Sequence, residues 1–176
     1  SRMEPEMGIL DVLKITDHLQ NIEEIVFIIA GSSGSLTTHV EEKAKESKGR
    51  VISRINVPYD LLPDYYQASD LMIAPTVGNH ACMGVSVKEA MSSSLASVVS
   101  DSGGLPEAIR DGIDGIVVPS LKDASIDTEL FSEHINRLIF DNNLKGKYGL
   151  NARKRAIEVF SNQATLKKYK SLFTYN

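Results

Sequence analysis

Cysteine is almost missing from this chain: Cys82 is the single one among 176 residues. No internal disulfide can form, and no paired Cys/His spacing exists that would hold zinc. A reducing, cytoplasmic compartment is the expectation. Positive charge is not in excess either, since 19 Lys and Arg stand against 23 Asp and Glu for a formal net charge of -4. A nucleic-acid binder needs a broad basic field, so no nucleic-acid partner is expected. No window approaches the uncharged apolar run of a membrane span, and the opening SRMEPE at 1–6 has neither the apolar core nor the basic flank of a signal peptide. These absences leave membrane association of the intact protein open. Internal repeats, low-complexity tracts and linker-like stretches are missing too, so the length suits one domain with a full core.

Short β-branched apolar runs are what the chain does have, at 25–30, 51–55, 71–75, 96–100 and 115–119, each strand-length and each ended by turn or breaker residues. Segments of helical spacing fill the gaps, at 9–13, 40–48, 61–67, 85–91 and 105–110. Strand alternating with helix predicts parallel strands joined by crossovers, with helices on both faces: a doubly wound, Rossmann-like α/β fold. After Pro119 only helical patterns remain, at 126–141, 144–159 and 164–173, which predicts a C-terminal helical tail. Basic residues gather there, including Lys147, Arg153, Lys154, Arg155, Lys167 and Lys168, and read as a solvated helix face. The chain opens at a helix-preceding loop, whereas such a sheet normally places its first strand centrally. A strand upstream of Ser1 is therefore expected.

Three strand-to-helix loops are candidates for chemistry. GSSGS at 31–35 could offer amides to a phosphate, but it lacks the G-x-G-x-x-G spacing, and the position that should be acidic lies near Arg50. Plain turn chemistry is the better reading. Beyond Pro75, GVSVKE at 84–89 opens a helix at the carboxyl end of a predicted parallel strand, where open α/β sheets bind ligands. Gly84 lets a ligand approach the main chain, the free amides of the first turn favour an anion, and Glu89 follows about one turn in. A glutamate there can accept two hydrogen bonds from a ribose diol; a surface glutamate on an ordinary helix is the plainer alternative. SDSGGLPE at 100–107 repeats the arrangement after the next strand. Of four histidines, only His80 lies in a crevice loop, and a surface role is its ordinary reading.

Taken in order, SRMEPEMG at 1–8, RVI at 50–52, VP at 57–58, LPDYYQASDL at 62–71, Pro75, GVSVKEAM at 84–91, VVSDSGGLPE at 98–107, DGIDGIVVP at 111–119, Ala152-Arg153 and Phe160-Ser161 cover nearly the whole chain. This series resembles the C-terminal domain of the large group 1, family 4-like retaining glycosyltransferases, whose GT-B fold sets two Rossmann-like domains face to face. The resemblance implies a domain that holds a nucleotide-diphosphate sugar against an upstream acceptor-binding domain. Glu89 would bind the ribose hydroxyls, and the amides around Gly84, Val85 and Ser86 would face the diphosphate and sugar. Arg2 would pair with the phosphates, while Ile55 and Val57 would border the base. The implied chemistry is transfer with retention at the anomeric carbon, with no cofactor and no obligatory metal, the leaving diphosphate being stabilised by positive charge and amides. The domain alone is not expected to be active.

Three positions depart from the pattern. Met7 stands where the family usually has a lysine aimed at the phosphates, Ala81 stands eight positions before Glu89 where a sugar-contacting glutamate belongs, and Ile55 replaces a common glycine. One electrostatic partner of a leaving group is typically worth about 3–4 kcal/mol of barrier. Two function classes follow: a working enzyme in which His80 or Asn79 takes over part of the missing carboxylate's work, and a non-catalytic relative kept as a binding or partner subunit. A Rossmann-type small-ligand domain unrelated to sugars is a third reading.

Overall fold

The computed structural model describes residues 1–78, 80 and 83–173. Among the described residues there are five short strands, β1 (Phe27–Gly31), β2 (Val51–Ile55), β3 (Leu71–Ala74), β4 (Ala96–Ser100) and β5 (Gly115–Val118). Around them run α1 (Ile9–His18), α2 (Thr37–Glu46), α3 (Leu62–Gln67), α4 (Val85–Ser92) and α5 (Leu105–Ala108). The tail is α6 (Thr128–Phe140), α7 (Asn142–Arg155), a π-helical turn over Ala156–Phe160 and α8 (Asn162–Phe173). All strand pairs are parallel. They form two ladders, β1 with β2 and β3-β4-β5 in that order. The expected single sheet is thus two hydrogen-bonded pieces. Residues 1–3 run parallel to the end of β1, with Arg2 bridged to Ser32, the Ser32 amide bonded to the Ser1 carbonyl and the Met3 amide to the Ser32 carbonyl.

Strand periodicity explains the layering. Successive side chains leave opposite faces of a strand, and Leu71 and Ile73, Ala96 and Val98, Ile116 and Val118 all join one apolar cluster, with Ile9, Ile15, Phe27, Val40 and Phe131. The intervening Met72 and Ala74, Val99 and Val117 join a second cluster with Val87, Met91, Leu105 and Ala152. β4 is buried along its whole length, as the middle strand of a sheet covered on both faces should be. Both ladders share the first cluster, so the two pieces enclose one core.

The tail is fastened by the residues that read as a solvated basic face. Arg153 donates to the Ser92 carbonyl, and Arg155 donates to the carbonyls of Ala108 and Glu107 at 2.9 and 2.8 Å. These guanidiniums satisfy the orphan carbonyls at the ends of α4 and α5, which corrects the solvated reading for the half-buried Arg155, while Arg153 stays exposed as expected. Lys167 and Lys168 are exposed, as expected. α8 buries none of its residues, and Leu166, Tyr169 and Leu172 on it are exposed.

Candidate functional site

Carboxyl ends of the strands converge on one side of the molecule, and three loops there are tied to one another. The Val77 amide donates to the Glu6 carbonyl at 3.3 Å, joining the loop after β3 to the 3₁₀ turn Pro5–Met7. Ser100 Oγ donates to the Thr76 carbonyl at 2.7 Å, and Ser102 Oγ donates to the Gly78 carbonyl, joining the loop after β4 to the same place. The loop before α1, the loop after β3 and the loop before α5 therefore lie together at the carboxyl ends of the strands, where a doubly wound sheet forms its ligand crevice.

α4 opens into this crevice. Gly84 is its N-cap residue, with a left-handed φ of 57° and no side-chain cap, so the cap residue itself leaves the amides of the first turn free for another acceptor. By contrast α6 and α7 carry aspartate caps, Asp127 and Asp141. A Cβ on Gly84 would stand 2.9 Å from Leu105 Cδ2, at the start of α5. Ser86 is half-buried and Val85 is exposed beside it.

Glu89, half-buried on the same helix, sends its carboxylate toward the turn that follows β2. Tyr59 Oη donates to Oε1 at 2.9 Å and Tyr66 Oη donates to Oε2 at 2.9 Å. Tyr59 sits just past Val57 and Pro58, so the carboxylate is within one side chain of the stretch expected to border a base. The bond to Glu89 pushes the exposed Tyr59 phenol above its ordinary range. Burial first, and then the same carboxylate, pushes Tyr66 well up. Neither tyrosine was singled out from the sequence. Separations of 30 and 23 positions from Glu89 carry no local signal, although Tyr66 lies inside the motif at 62–71.

Ile55 and Val57 are half-buried on either side of Asn56, which adopts φ 54°. The Asn56 amide bonds the Gly31 carbonyl at 2.7 Å, and its Oδ1 accepts from the Ser33 amide at 3.0 Å. That contact closes the question of the loop at 31–35. The Ser32 amide goes to Ser1, Ser33 to Asn56, Gly34 to Thr37 Oγ1 and Ser35 to Glu4 Oε1, so every amide from 32 to 35 is spent inside the protein. Its glycines serve close packing, since a Cβ on Gly31 would lie 1.6 Å from the Ser1 carbonyl oxygen. Turn chemistry is the correct reading there.

Arg2 lies at the end of β1 with a largely exposed guanidinium, 3.8 Å from Glu6 Oε1. Met7 is half-buried and packs against the main core. His80 is exposed, and its ring is the nearest side chain to a Cβ built on Gly78. Asn79 and Ala81, expected near a sugar, lie outside the described residues, as does Cys82. Among the described residues no group of His, Cys, Asp and Glu could hold a metal ion, and no helix is long and apolar enough to cross a membrane. A cavity of about 250 Å³ lies at the amino ends of β1 and β2, lined by Phe27, Lys43, Arg50 and Val51, at the opposite end of the strands from the crevice.

The family model for glycosyl transferases group 1 matches residues 1–141. The chain belongs to the group 1 glycosyltransferases. Among curated members, it is 32% identical over 130 residues to the alpha-maltose-1-phosphate synthase of Mycolicibacterium smegmatis, covering 72% of this chain and 32% of that one. It is 27% identical over 159 residues to a D-inositol 3-phosphate glycosyltransferase of Streptomyces bingchenggensis, covering 86% of this chain and 33% of that protein. The chain thus spans about a third of the length of these relatives. Solved group 1 and GT-B structures share its fold. TarM superposes with a TM-score of 0.81 at 21% identity, over 99% of this chain and 34% of TarM. Anabaena HepE in complex with UDP gives 0.79 at 20%, over 97% of this chain and 47% of HepE. The C-terminal domain of the group 1 protein LpcC from Francisella tularensis gives 0.78 at 19%, over 92% of this chain and 84% of that one. The Rossmann-like GT-B half expected from the sequence, with its helical tail, is the fold of this group 1 chain.

Proposed function

We infer that this chain is the donor-binding C-terminal domain of a glycosyltransferase that takes a nucleotide-diphosphate sugar and transfers the sugar with retention of anomeric configuration. The observation that carries the reading is the placement of Glu89: its carboxylate spans from α4, one turn past the uncapped Gly84, to the turn after β2. A ribose held there lies between a base against Ile55 and Val57 and a diphosphate on the amides of Gly84, Val85 and Ser86. Arg2 supplies fixed positive charge to the phosphates. Asn79 and His80 come from the loop that would face the sugar. HepE, a neighbour in fold, is complexed with UDP, which agrees with a nucleotide donor.

The protein as a whole includes an upstream acceptor-binding domain and a strand that fills the space between the β1 and β3 ladders. In favour of that strand, residues 1–3 already pair in parallel with β1, and β3 pairs along one edge only among the described strands. The reaction proceeds in the cytoplasm and needs no cofactor beyond the donor itself.

A second reading, a non-catalytic binding or partner subunit, is favoured by Met7, whose side chain is committed to the core where a phosphate-facing lysine is usual. Incubating the full-length protein with UDP-glucose, GDP-mannose and ADP-glucose separates the two. Release of nucleoside diphosphate with an α-configured product, read by NMR, is expected of the enzyme. Binding without any release or transfer points to the second reading, and a β-configured product contradicts retention.

A further inference from the structure

The two tyrosines on Glu89 match each other in distance and in little else. Tyr66 stands on α3, half-buried, and its bond to Oε2 is shielded by the fold. Tyr59 stands on the 3₁₀ turn Tyr59–Leu61, is 75% exposed, and makes its bond to Oε1 on the solvent side. A ribose diol presents two neighbouring hydroxyls, and a carboxylate holds a diol best when one hydroxyl donates to each oxygen. Any ligand reaching Glu89 from solvent therefore meets Tyr59 first. Each oxygen has a second lone pair, so the shielded bond to Tyr66 can persist while the exposed one is exchanged.

Resting on the reading of Glu89 as the ribose-binding carboxylate, we propose that Tyr59 is a displaceable stand-in for one ribose hydroxyl and that Tyr66 is a positioning residue that keeps the carboxylate aimed at the diol. Tyr59 keeps Glu89 hydrogen-bonded until a ribonucleotide arrives, and then leaves. Nothing else in the site need move for it to do so, because Tyr59 lies on a short exposed turn next to Pro58. Tyr66 keeps its bond before and after. Together they make the site selective for a ribose with free hydroxyls: a dideoxyribose has no hydroxyl to offer Glu89 and leaves Tyr59 in place.

An exposed hydrogen bond of this type contributes on the order of 1 kcal/mol net, which corresponds to about fivefold in affinity. The test is calorimetry on the full-length protein with UDP and with its 2′,3′-dideoxy analogue, or the same pair for GDP or ADP if that base is the one bound. Tyr59→Phe is expected to bind the ribonucleotide about fivefold tighter and the dideoxy analogue unchanged. Tyr66→Phe is expected to weaken the ribonucleotide about tenfold while leaving the dideoxy analogue within about twofold. Equal or absent gains for the two ligands in Tyr59→Phe overturn the displacement. Equal losses for both ligands in Tyr66→Phe overturn its positioning role. Should Tyr66→Phe not fold, the exposed Tyr59→Phe still decides the proposal. If none of UDP, GDP and ADP binds the wild-type chain, the reading of Glu89 itself fails and this proposal with it. Ribonucleotide binding with no change in Tyr59→Phe overturns this proposal alone.

Discussion

Replacing Asp114 with alanine is expected to cost about 3 kcal/mol of folding stability. Asp114 is completely buried, and its carboxylate accepts from Arg110 Nε and Nη2 at 2.6 Å each and from the Arg110 amide at 3.3 Å. Arg155 Nε lies 3.7 Å away. Removing one member of a buried ion pair typically costs about 3–5 kcal/mol, because the remaining charge is left unpaired. Here the lower end applies. The Arg110 side chain is 47% exposed and can return to water, and Arg155 keeps its carbonyl partners at Ala108 and Glu107. For a domain of this size, about 3 kcal/mol lowers the melting temperature by about 6–12 °C. Asp114→Asn retains the shape and one acceptor oxygen, so it should fall between wild type and Asp114→Ala. Thermal and urea unfolding followed by circular dichroism give both numbers. A drop of under about 2 °C for the alanine variant, or an asparagine variant as unstable as alanine, would refute this account of the network.

Two further outcomes follow from the loops around the crevice. Gly84→Ala forces a non-glycine residue into φ 57° and puts a methyl 2.9 Å from Leu105, so a loss of about 1–2 kcal/mol is expected in denaturation, with weaker diphosphate binding in calorimetry; unchanged stability and affinity would contradict both. Glu4 accepts from the Ser35 hydroxyl and amide, and the hydroxyl first, then the amide, hold its carboxyl below the ordinary glutamate range. The stabilisation is then full above about pH 4.3, the unfolded value, and disappears as the pH falls through the lower folded value. NMR titration should give a depressed Glu4 midpoint that returns toward normal in Ser35→Ala.

Much of the fold was legible because both of its signals are local. β2 and β4 begin and end where the apolar runs at 51–55 and 96–100 do. β1 starts at Phe27 rather than at residue 25, since Val26 is exposed and its run of β-branched residues overstates the strand. The division into two ladders was not legible, because strand order depends on contacts far apart in sequence. Within the site, Gly84 and Glu89 could be found by their place at a strand-to-helix junction, a rule of the fold rather than of the residues. The occupied amides of 32–35 could not be found, because Glu4 and Asn56 reach them across 31 and 23 positions. The same reason hid Tyr59 and Tyr66 from Glu89. Arg155 looked like solvent-facing charge because spacing on a helix says nothing of the carbonyls that another helix end presents.

Binding of nucleoside diphosphates to the full-length protein, wild type against Glu89→Ala, tests the central claim most directly. Calorimetry with UDP, GDP and ADP should give saturable binding of at least one by the wild-type protein. Losing two hydrogen bonds to a charged acceptor should weaken that nucleotide by about a hundredfold or more in Glu89→Ala, with the unfolding transition little changed. Equal affinity in the two proteins would contradict a ribose-binding carboxylate at this position.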